Sequence, residues 1–143
     1  MLTLQLSITK PLGMPSYYTL MMLHLWTVVP AFVVGTVVLC LRKGTATHRA
    51  LGSVYMILML ITAIAALFIP ARVGPQWLGH FGWIHIFCLV VFFSIPNALI
   101  QARRGNIRRH AISMVLLYVG ALIIAGAFTF ARGRYMHQLF FGA

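Results

Sequence analysis

Six histidines stand in a chain that contains no Asp or Glu: His24, His48, His80, His85, His110 and His137. Histidine is therefore the side chain here able to carry a proton near neutral pH. It is also the obvious ligand for a transition metal. The cysteines, Cys40 and Cys88, are weaker candidates, and both lie inside apolar runs, which argues against a disulfide framework. No phosphate-binding glycine loop, metalloprotease helix or nucleophile motif is legible. Without carboxylates, an ordinary proton pump or sodium site is not expected.

The elements that must position these histidines are membrane spans. Of the 143 residues, 62% are hydrophobic and only 8% charged, too few charges to cover a soluble globule. Lipid can cover such a chain instead. Four apolar stretches are expected to cross the bilayer, at about residues 18–41, 50–69, 79–100 and 111–131. Each is near the roughly 20 residues a membrane helix needs. The joins are short, so the helices are expected to run antiparallel in one membrane domain covering residues 1–143. The expected fold class is an all-α integral membrane protein, a four-transmembrane-helix antiparallel bundle. Pro30 and Pro96 lie within spans, and small residues cluster in the fourth around Gly120, Ala121, Ala125 and Gly126, where close helix packing is expected. The opening residues do not read as a cleavable signal.

The formal charge of +11 is distributed in short clusters between the spans, which is how basic residues flank membrane helices. Nucleic acid is thus not the expected partner; membrane lipid is, with anionic lipid as the counter-charge. Seven basic residues flank one face (Arg42, Lys43, Arg49, Arg103, Arg104, Arg108 and Arg109) and four the other (Lys10, Arg72, Arg132 and Arg134). The positive-inside rule then places the seven in the cytoplasm and both termini outside.

Counting along the spans sorts four histidines by depth. His24 precedes Arg42 by 18 residues and His85 precedes Arg103 by 18, which puts both near the outer side. His48 precedes Pro70 by 22 residues and His110 precedes Arg132 by 22, which puts both at the cytoplasmic edge. Alternate helices of a sequential bundle lie diagonally across its axis. The outer pair would therefore come from helices one and three, and the inner pair from helices two and four. Two diagonal histidines at one depth can clamp a flat macrocycle, which is the geometry of bis-histidine b-type haem. One or two such haems are expected, with His24, His85, His48 and His110 as iron ligands. Arg42, Arg49, Arg104 and Arg109 are candidates for the propionates, with Arg72 and Arg132 on the other side. Trp26, Phe81, Trp83 and Phe87 are candidates to pack on the ring faces. A further metal cluster is conceivable at His80, His85 and His137. Tyr55 and Tyr118 are candidate polar groups inside the bundle. The plainer alternative is that the histidines are interfacial or packing residues and that both tyrosines are simply packed.

The segments THRALGSVYMILML, WLGHFGWIHIF and RRGNIRRHAISMVLLYVGALIIAGAFTFARGRYMHQLFF resemble the bacterial membrane family catalogued as domain of unknown function 2306. The likeness spans about residues 20 to 141 and is carried by the pattern from His48 to Tyr55 and by the approach to the fourth helix, Arg103 to His110. The arrangement is also similar to the core of two-haem b-type transmembrane cytochromes. That likeness implies an outer haem on His24 and His85, an inner one on His48 and His110, and electron transfer across the membrane, with a quinone or redox protein as partner. The competing expectation is a structural or assembly subunit of a larger membrane complex, without a redox centre. A small transporter or channel, as a homo-oligomer, would need a continuous polar path, for which the sequence offers few residues.

Overall fold

A computed structural model describes residues 16–71, 76, 77, 79–128 and 142. Among them are four helical spans long and apolar enough to cross a membrane. Helix α1 covers Tyr17–Cys40 and begins at Ser16, whose hydroxyl accepts from the Thr19 N–H. Helix α2 covers Ala46–Leu67. It starts four residues before the expected boundary, because the Thr45 hydroxyl caps the His48 N–H. His48 consequently sits in the first turn of a helix rather than in a join.

Residues Gln76–Trp77 (β1) and Phe81–Gly82 (β2) pair antiparallel, Gln76 opposite Gly82 and Trp77 opposite Phe81. The third span therefore begins later than its hydropathy implies. A single 3-10 turn, Trp83–His85, leads into α3, Ile86–Arg103. Helix α4 runs from Ile107 to Ala127 and is wound as a π-helix over Leu117–Ile124. Asn106 caps it through the Arg109 N–H. The first and third turns reverse at Gly44 and Gly105, whose φ values of +82° and +71° suit glycine.

Each helix packs on its sequence neighbours, most extensively α1 on α2 and α3 on α4, while α1 and α4 close the ring more sparsely. The core is apolar and closely approached: Ala31, Tyr55, Met59, Ala63, Cys88, Val91, Ala98 and Leu117 are all buried. The outward faces carry Trp26, Phe93, Ile57 and Leu116, all exposed, as a surface solvated by hydrocarbon requires. Lys10, Arg72, Arg132, Arg134 and His137, and the expected end of the fourth span, lie outside the described residues.

Candidate functional site

At the basic end, where α2 and α4 begin, the His48 and His110 rings meet with centroids 6.5 Å apart and planes at 78°. The contact crosses the bundle diagonal between α2 and α4. The His110 Nδ1–H donates to the Ala98 carbonyl at 2.9 Å, which leaves Nε2 with its lone pair. The His48 Nδ1 is buried with no hydrogen-bond partner. An imidazole tied to a carbonyl through one nitrogen is oriented and made more basic at the other, as metal-binding histidines are. Two imidazoles sharing one metal ion, at about 2.0 Å per bond, stand with ring centres roughly 6 Å apart. The observed centroid distance is close to that separation.

Gly52 lies one turn deeper on the His48 face of α2. It is buried, yet a Cβ there would meet only Val38 Cγ1, at 4.0 Å. Arg42 and Arg104, in the turns, and Arg49 and Arg109, in the first turns of α2 and α4, are exposed around the same end. The donor set and the unpartnered nitrogen are of the kind a haem iron takes from two histidines.

The other expected pair is arranged differently. The His24 Nδ1–H donates to the Thr62 carbonyl of α2 at 3.1 Å. Thr62 in turn donates its hydroxyl to Thr27 at 2.8 Å. His85 is buried, and both of its nitrogens are engaged. Nδ1 accepts from the Gly82 N–H at 3.1 Å, so Nε2 carries the proton and donates to the Ile69 carbonyl at 3.2 Å. His80 joins it: its Nε2–H donates to the Leu67 carbonyl at 2.8 Å, and its ring stands 5.9 Å from His85. Phe81 packs edge-on against both rings. His80 and His85 therefore cap carbonyls at the C-terminal end of α2, where the helix leaves them without internal donors. The ring contacts of the described residues do not join His24 to His85. Among the described residues no group of three or more His or Cys could hold a metal ion together.

Sequence reasoning singled out Tyr55 and Tyr118 as polar groups inside the bundle but not Thr36, Asn97, Gln101 and Ser113. The Asn97 amide donates to Ser113 Oγ at 2.7 Å across α3 and α4, and Gln101 donates to Asn97 Oδ1 at 3.3 Å. The Thr36 hydroxyl donates to the Phe32 carbonyl and accepts from Tyr118 at 2.6 Å across α1 and α4. Tyr55 is 2% exposed, and its hydroxyl is buried without a partner. One signal was available: His48, Tyr55 and Thr62 recur every seven residues on α2, two turns apart and on one face. That face points into the bundle.

A comparison with curated proteins and with solved structures finds no match. The profile of one family, described as predicted membrane protein (DUF2306), matches residues 21–141. With four apolar helices of spanning length and a profile covering nearly all of its sequence, this chain is an all-α membrane protein and belongs to the DUF2306 family.

Proposed function

We propose that this protein is a transmembrane electron-transfer protein that holds a b-type haem between His48 and His110. The observation that carries the reading is the diagonal meeting of these two rings, with one nitrogen of His48 buried and unpartnered. His110 is held for ligation by its bond to Ala98, and the arginines Arg42, Arg49, Arg104 and Arg109 supply propionate partners at the same end. When bound, the haem would supply one-electron chemistry. A second haem on His24 and His85 belongs to the same proposal. It would require His85, whose nitrogens are both engaged, to give up a partner, whereas the His24 Nδ1–H can stay on Thr62 with Nε2 left for iron. A quinone or a redox protein is the proposed exchange partner. We also propose that the membrane is the bacterial inner membrane, with the basic end cytoplasmic and both termini outward.

The test is an absorption spectrum of the gently purified protein, oxidised and then dithionite-reduced, with haem supplied during expression. The expected result is a b-type spectrum that is lost in His48→Ala and in His110→Ala. A featureless spectrum from folded protein overturns the proposal.

One observation favours a second reading, a structural or assembly subunit. His24, His80, His85 and His110 all donate to main-chain carbonyls of a neighbouring segment, so each also acts as a tether. On that reading the histidine variants loosen the bundle or its complex without removing any colour.

A further inference from the structure

The chain's positive charge is concentrated where α1 and α3 end and α2 and α4 begin. The His48–His110 contact brings the first turns of α2 and α4 together, and with them the two loops that precede these helices. All seven basic side chains of these loops and helix ends are exposed. No Asp or Glu exists anywhere in the chain to neutralise them. Lys43 and Arg49 direct donors to nearby carbonyls, Lys43 to Val38 and Leu39 and Arg49 to Gly44. The hydrogen bonds of the described residues engage no guanidinium of Arg42, Arg103, Arg104, Arg108 or Arg109.

Orientation in a membrane needs only positive charge, which lysine supplies as well as arginine. Yet six of the seven residues here are Arg. The planar guanidinium fork binds phosphate through two parallel hydrogen bonds, which a lysine ammonium does not. Four of the arginines form two adjacent pairs, Arg103–Arg104 and Arg108–Arg109, on either side of the Gly105 reversal. The ends of membrane spans lie at headgroup depth, where basic pockets meet anionic lipid. Two arginine pairs at that depth match two phosphates better than one.

We propose that this rim is a binding site for a phospholipid carrying two phosphodiester groups, the cardiolipin class. One phosphate sits at Arg103–Arg104 and the other at Arg108–Arg109, with Arg42 on the facing turn adding to the field. Arg42, Arg104 and Arg109 are shared with the propionate role proposed above; lipid retention reads the lipid site and the absorption spectrum reads the haem, so the failure of one is distinguishable from the failure of the other.

The experiment uses the full chain in nanodiscs of phosphatidylcholine doped with either cardiolipin or phosphatidylglycerol at equal headgroup charge. The protein is transferred to detergent, and retained lipid is counted by native mass spectrometry. Cardiolipin is expected to be retained on the order of tenfold more than phosphatidylglycerol, since its two phosphates are linked and the second binds at a high effective concentration. Arg103→Gln/Arg104→Gln and Arg108→Gln/Arg109→Gln, each removing one phosphate partner, are expected to abolish that preference. Both change only exposed positions, and helical content by circular dichroism serves as their control. Equal retention of the two lipids by the parent protein overturns the proposal. So does a preference that survives in both pair variants.

Discussion

The Tyr55 ring lies directly on the bare Cα of Gly35, and this contact decides how closely α1 and α2 approach. A Cβ at position 35 would stand 2.7 Å from Tyr55 Cε2 and 3.1 Å from Tyr118 Cδ2. Neither neighbour is the free end of a flexible chain; Tyr55 is a rigid ring packed in the core. Gly35→Ala is therefore expected to destabilise by about 1–3 kcal/mol through overpacking. Against this stands roughly 1 kcal/mol from better helix propensity, so the steric cost wins. Gly52→Ala makes the contrast. Its Cβ meets only Val38 at ordinary contact distance, so the propensity gain is unopposed and stability should hold or rise. Unfolding of the two variants in detergent, followed by circular dichroism, reads the difference. Equal stability of the two would show that the helices relax apart at Gly35 without cost.

Helices that pack in lipid lack the hydrophobic drive of a soluble core, so small residues and interhelical hydrogen bonds carry more of their association. The α3–α4 pair shows both. Ala98 is fully buried, and the Asn97–Ser113 bond lies next to it, within one turn of the His110–Ala98 bond. A double-mutant cycle on Asn97→Ala and Ser113→Ala should give a coupling of about 0.6 kcal/mol, and no more than roughly 1.7. Denaturation by increasing dodecyl sulfate measures it, and zero coupling would mean that each group finds another partner when the first is removed. At the other end of the bundle, α2 is finished by imidazoles from a different segment rather than by its own residues. That closure was not legible in the sequence. WLGHFGWIH reads as the start of the third span by hydropathy, whereas Phe81–Gly82 pairs as a strand and the helix proper waits until Ile86.

Among the described residues every exposed arginine lies at one end of the bundle. If that end is cytoplasmic, a C-terminal epitope tag is expected to be digested by protease added to intact spheroplasts. A cysteine placed at Ala102 in a background lacking Cys40 and Cys88 should react with an impermeant maleimide only in inverted vesicles. The opposite pattern would reverse the topology and place the His48–His110 pair outside.

Four spans, their order and the location of the positive charge follow from composition and hydropathy, because each depends on residues near one another in the chain. The common depth of His48 and His110 follows as well, since rise per residue converts sequence separation into depth. Sequence separation carries no information about the rotation of one helix against another. That phase comes from packing at Gly35, Ala31 and Ala98. It turns His48 toward His110 across the diagonal, while His24 and His85, which also share a depth by counting, each turn to carbonyls of α2. Which histidine meets a ring and which meets a backbone oxygen is a long-range outcome, set only once all four helices have packed.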